Sequence, residues 1–147
     1  MGHDTLLLCG TGVLVENAAG EVLLQRRADN HCWGYPGGAV EVDERVEDAA
    51  RRELYEETGL VAGALALFGV FSGPELHYTY PNGDDVSVVS IVYTCDDFSG
   101  ELRPDDAEVE ALDFFPADSL PARISPPDIP VLAKYARGKG KTSPPAK

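Results

Sequence analysis

Glu53, Glu56 and Glu57 stand at i, i+3 and i+4 in a stretch, Arg45 to Thr58, where the apolar residues Val46, Ala49, Ala50 and Leu54 recur three or four apart. That period predicts a helix, with Gly59 where a helix stop belongs. Three carboxylates then share one face and repel one another, while Val46, Ala50 and Leu54 anchor the opposite face to a core. Oxygen ligands clustered on a rigid element are what a hard divalent cation such as Mg²⁺ or Mn²⁺ requires. Exposed glutamates are also ordinary on helices, so the spacing alone is compatible with a solvated acidic face.

The wider pattern decides between these. Gly38 to Leu60 reads GAVEVDERVEDAARRELYEETGL and fits G-x(5)-E-x(7)-R-E-U-x-E-E-x-G-U, where U is bulky and apolar. The fixed positions are Gly38, Glu44, Arg52, Glu53, Glu56, Glu57 and Gly59. Seven identities at roughly 7% usage each arise by chance in about 10⁻⁸ of windows. The stretch resembles the Nudix box of the Nudix hydrolases, and the approach Trp33-Gly34-Tyr35-Pro36-Gly37-Gly38 is similar too.

The resemblance implies an α/β fold, an α/β/α sandwich around a central mixed sheet. It also implies a metal-dependent pyrophosphohydrolase with Mg²⁺ or Mn²⁺ as cofactor, acting on a small nucleotide. Glu56 and Glu57 would be metal ligands, joined by the backbone carbonyl of Gly37. Glu53 would be a further ligand or the base that activates water, with Arg52 holding it and Glu44 supporting the site from the loop side. In relatives a later acid can complete the site; Glu108 has the matching spacing, with Asp105, Asp106 and Glu110 as rivals. Arg27 ends a strand where relatives place a phosphate-binding cation; a surface salt bridge is the alternative. Trp33, Tyr55, His77, Tyr78 and Tyr80 are candidates to stack on a base, and equally to cover a strand; Trp33 is the one assigned to the substrate. The expected substrate is a nucleoside diphosphate linked to another group, such as ADP-ribose or a nucleotide sugar. The alternative is a nucleoside triphosphate, including oxidised guanine forms. A nucleotide-sensing module that no longer cleaves is a third reading, set against four intact motif glutamates.

Three departures from the family pattern stand out. Arg45 occupies the usual Ser/Thr cap, so capping is expected from Asp43, Asp48 or water. Asp43 replaces a frequent glycine. The first strand is expected close to the start, without the N-terminal extension of many relatives, so that the substrate contacts it supplies would be absent or provided by a partner subunit, in a homodimer.

Around the helix, Leu6 to Glu16 and Val22 to Leu24 flank the turn residues Asn17 to Gly20 and read as a two-stranded hairpin. Ala28 to Gly38 reads as loop. Ala64 to Phe71, Leu76 to Tyr80, Val86 to Cys95 and Ala111 to Phe115 read as strands, the middle pair joined by an Asn82-Gly83 turn. Ile129 to Tyr135 suits a short helix. The 147 residues fit one domain, residues 1–137, followed by a mobile basic tail, 138–147.

A hydrophobic fraction of 44% with 25% charged residues supports a real core and excludes wholesale disorder. No apolar run approaches the ~20 residues that span a bilayer, and the opening Met1-Gly2-His3-Asp4 is unlike a secretory leader. Three distant cysteines, Cys9, Cys32 and Cys95, suit a reduced, cytoplasmic setting. Net charge is −13, but residues 1–133 hold all 25 acids against seven Lys and Arg, a net −18. Such a body repels nucleic-acid polymers. A small phosphorylated ligand remains compatible, because a divalent ion supplies positive charge locally.

Overall fold

The computed structural model describes residues 4–79, 82–105 and 107–142. Its central strand is β1 (Leu6–Val15), which runs parallel to β8 (Asp85–Cys95) from Leu6 against Val86 to Val15 against Cys95. The other edge of β1 pairs antiparallel with β4 (Gly37–Ala39), and β8 pairs antiparallel with β6 (Ala66–Phe71) and β7 (His77–Thr79). The sheet is therefore mixed, as expected. A parallel pair needs a long crossover, and α1 (Val46–Thr58) lies within it. A second, antiparallel sheet orders β10 (Val109–Phe115), β2 (Val22–Arg27) and β3 (Trp33–Gly34). A two-stranded ribbon joins β5 (Val61–Ala62) to β9 (Phe98–Ser99), and α2 (Ile129–Thr142) follows.

Alternation along β1 makes the layers. Val13 and Val15 pack with Ala50 and Leu54 of α1, while Leu14 packs with Val131, Leu132 and Tyr135 of α2. The two helices thus cover opposite sides. Strand β2 alternates in the same sense, with Leu23 on the α1 side and Val22 and Leu24 on the α2 side.

Helix α1 ends as its sequence requires: Gly59 takes φ 82°, and its N–H donates to the Tyr55 carbonyl at 2.9 Å. Its start differs from expectation. Arg45 is the N-cap residue and no side chain caps the helix, neither Asp43 nor Asp48. Asp43 instead adopts φ 64° in the turn, doing there what a glycine would do freely. Glu47 and Asp48 in the first turn still favour the helix dipole.

Three other expectations change. The turn at Asn17 forms, its Oδ1 accepting from the N–H groups of Ala19 and Glu21. Yet β1 and β2 are no hairpin: after one bridge, Glu16 to Val22, they enter different sheets, because β8 and β10 offer longer apolar pairings. Ala28 to Gly38 is not all loop, since β3 and the start of β4 form there. The terminal helix continues through Thr142, into the segment expected to be a mobile tail. Ala136, Arg137 and the lysines are good helix formers and extend it past two glycines. Tyr80, Asp106 and residues 143–147, named above, lie outside the described residues.

Candidate active site

The acidic face of α1 is organised by one arginine. Arg52 Nε donates to Glu44 Oε2 at 2.8 Å and Nη2 donates to Glu44 Oε1 at 3.0 Å, a two-pronged grip. Its Nη1 donates to Glu53 Oε2 at 2.9 Å and to Glu56 Oε1 at 3.3 Å, and Nη2 also reaches the Ala39 carbonyl at 3.1 Å. The grip, with the Glu41 N–H donating to Glu44 Oε1 at 3.0 Å, holds the Glu44 carboxyl down at about 2. Loop, strand β4 and helix are thereby tied at a single side chain.

Glu53 fills a space that glycine leaves open: a Cβ on Gly38 would stand 2.5 Å from the Glu53 carboxyl carbon. Burial raises its pKa against the opposing pull of Arg52, and the charges of Glu56 and Glu108 raise it further. Glu57 goes deeper, at 8% exposure. Its Oε1 accepts from the Gly37 N–H at 2.9 Å and from Gln25 Nε2 at 3.1 Å. Burial lifts its pKa to about 7, opposed by those hydrogen bonds and supported by the charge of Glu53.

The donor set suits a hard cation. All candidate ligands are oxygens, their charges oppose one another, and both hydrogen bonds to Glu57 fall on Oε1, so Oε2 carries neither. Among the described residues no three acidic, imidazole or thiol side chains are already gathered around one point. Arg52 instead holds Glu53 and the half-exposed Glu56 toward itself. Releasing Glu56 from a 3.3 Å surface pair is a small cost.

The remaining expected site residues divide between two sides of β2. Gln25 and Arg27 face α1; Arg26 and its register partner Trp33 face away. Arg27 is fork-paired to Asp29 at 2.9 and 3.0 Å, the salt-bridge reading, although it also feels the charges of Glu57 and Asp128. Glu108 is exposed on the α1 side of the β10 bulge, close enough to act on Glu53. Its rival Glu110 is turned to Arg26 and His31, and Asp105 receives the Ala107 N–H. Trp33 packs edge-on against Phe115, away from the carboxylates. Tyr55 lies under Arg103, and His77 pairs with Asp85.

Two residues at the site had no signal in the sequence. Gln25 is a lone amide in an apolar strand, and only its partner Glu57 gives it a role. Asp128 follows two prolines just before α2, in a stretch the sequence did not single out. Its carboxyl is packed against Gly34, burial pushes its pKa up to about 7, and Arg27 and a hydrogen bond from the Tyr35 backbone oppose that rise.

Comparison with known proteins agrees with this geometry. The NUDIX domain family model matches residues 8–135. An ADP-ribose pyrophosphatase of Methanocaldococcus jannaschii is 41% identical over 104 residues, 69% of this chain and 57% of that protein. An m7GpppN-mRNA hydrolase of Danio rerio is 32% identical over 157 residues, 92% of this chain and 52% of that protein. The chain spans about half the length of these two relatives. The crystal structure of a MutT NUDIX hydrolase from Burkholderia pseudomallei superposes with a TM-score of 0.74 at 33% identity, covering 86% of this chain and 96% of that one. With its complete box on α1, its mixed sheet between two helices and these relatives, the chain belongs to the Nudix hydrolase family.

Proposed function

We propose that the chain is a metal-dependent pyrophosphohydrolase that cleaves the diphosphate bridge of a nucleoside diphosphate linked to another group, ADP-ribose being the leading member. The observation carrying this reading is the hold of Arg52 on Glu44, Glu53 and Glu56 within a complete motif. All four motif glutamates are intact, which favours cleavage over a module that only senses nucleotides. The similarity to an ADP-ribose pyrophosphatase supports the choice of substrate.

Glu53, Glu56, Glu57 and the Gly37 carbonyl would hold Mg²⁺ or Mn²⁺, which when bound neutralises phosphate charge and lowers the pKa of water. Glu57 is kept in place by Gln25 and the Gly37 N–H. Glu53 is oriented by Arg52 and partly desolvated, which suits a carboxylate that takes a proton from attacking water. Glu108 is the alternative base, and Glu53 already feels its charge. Arg27 would leave Asp29 for a substrate phosphate; its grip on Asp29 is exposed and cheaply exchanged.

The test is a panel of nucleoside diphosphate conjugates and triphosphates with Mg²⁺ or Mn²⁺, scored by product. The proposal expects two phosphate-bearing products from a conjugate. Monophosphate with pyrophosphate, from triphosphates alone, would assign the chain to triphosphates instead. Inorganic phosphate as the sole product would overturn both.

A further inference from the structure

On the side of β2 away from the acidic helix lies an open, solvent-facing cavity of about 500 Å³, lined by Arg26, His31, Trp33, Glu110, Ala122 and Arg123. The size is that of a small-molecule site. Its charge is unusual for this chain, since two of the seven Lys and Arg in residues 1–133, and one of three histidines, converge there. Arg26 lies over the Trp33 ring at 5.7 Å. It shares a single carboxylate with His31: Glu110 Oε2 is 2.6 Å from Arg26 Nε and 2.9 Å from His31 Nδ1. Arg123 donates to the Asn30 carbonyl at 3.3 Å, and among the described residues no carboxylate pairs with it. One acid for two guanidiniums leaves the cavity positive inside a strongly negative body.

The walls are fixed. Trp33 is braced by Phe115, ring centroids 4.9 Å apart. The Trp33 N–H donates to the Arg123 carbonyl, and its own carbonyl receives the Ser125 N–H at 2.8 Å. The segment carrying Arg123 is therefore stitched to the indole's backbone. Guanidinium forks match the tetrahedral oxygens of a phosphate, and the indole offers a flat apolar surface beside them.

We propose that this cavity is a second phosphate-binding site, taking a phosphomonoester on a sugar or nucleoside through Arg26 and Arg123, with the organic part against Trp33. It is separated from the acidic face by β2 and does not depend on the hydrolytic reading. Such a group has two sources, the far end of a long substrate or a separate effector.

Trp33 is the only tryptophan in the chain, so its emission reports on this cavity. In EDTA, ribose 5-phosphate should change the emission saturably, and ribose should not. Arg123→Glu should weaken binding by about tenfold or more, while Glu57→Gln, on the other side of β2, should leave it unchanged. Should Arg123→Glu fail to fold, Arg123→Gln replaces it, with the same expected direction. With Mg²⁺ and a hydrolysed conjugate, competitive inhibition by ribose 5-phosphate and a raised KM in Arg123→Gln mark the far end of the substrate. A change in rate without competition marks an effector. No saturable change in the native protein, or undiminished binding in the folded Arg123 variant, overturns the proposal.

Discussion

Arg52 holds three carboxylates with one guanidinium, and a lysine cannot reproduce that fork. Arg52→Lys should retain the fold while hydrolysis of the best substrate falls by about 10²-fold or more, most of it in kcat, as steady-state kinetics would reveal. Glu57→Gln tests the metal assignment without knowledge of the substrate. A cation that binds only the folded chain adds about 2.7 kcal/mol at 100 times its Kd, so Mg²⁺ should raise the melting temperature of the native protein. In Glu57→Gln that rise should shrink while the metal-free protein melts no lower, because repulsion across the helix face is relieved. An undiminished metal response in the variant would disprove the assignment. Asp128 supplies a pH test. Its folded pKa, about 7, lies above the carboxylate's ordinary value, so the folded state binds the proton more tightly than the unfolded chain. Stability is then full below the unfolded value and is lost as pH rises through about 7. In EDTA the melting temperature should drop by about 5 °C between pH 5 and pH 8, and Asp128→Asn should flatten the decline. Glu57, raised to about 7 by burial, contributes in the same direction until a cation holds it ionised.

Helix α1 was legible because its local signals agree: apolar spacing, acidic residues on the other face, and a glycine at the stop. Its first turn was less so, since Arg45 offers no cap and nothing else took over. That leaves room for improvement. Arg45→Ser should stabilise the helix by about 1 kcal/mol, seen as a melting temperature higher by roughly 2–4 °C with kcat unchanged. Strand β2 shows where sequence reasoning stops. Arg26 and Arg27 are adjacent and chemically identical, and only the pairing with β3 says which one looks toward Glu57. Trp33 follows the same rule: as the register partner of Arg26 it faces the outer cavity. A one-residue slip would exchange the two faces. Gly38 shows the reverse, a position whose reason is plain only in three dimensions, because any side chain there would displace Glu53.

At the scale of the whole molecule, the sandwich follows from strands that alternate and helices that each present one apolar stripe. What local patterns could not supply was partner choice. The turn at Asn17 suggested that its two flanking strands pair with each other, whereas β1 pairs with β8 and β2 with β10. The end of α2 is held to the end of β1 by Tyr135, whose hydroxyl donates to Glu16, and by Lys139 at 2.7 Å from the same carboxylate. Tyr135→Phe should therefore cost about 1 kcal/mol in chemical denaturation. The pairing of β1 with β8 also orders events in time. Thr11 and Ile91, register partners in this ladder with the Thr11 hydroxyl donating to the Ile91 carbonyl, are eighty residues apart, and Leu6, Leu7 and Leu8 stay largely exposed even in the finished fold. On the ribosome, β1 can pair early only with the short β4, along Gly10 to Gly12, and its long edge stays bare until β8 has emerged. Closing so large a loop before the ladder can reward it slows folding relative to a fold built of local contacts. During that interval its leucine-rich first strand offers an apolar, half-unpaired edge of the kind chaperones shield.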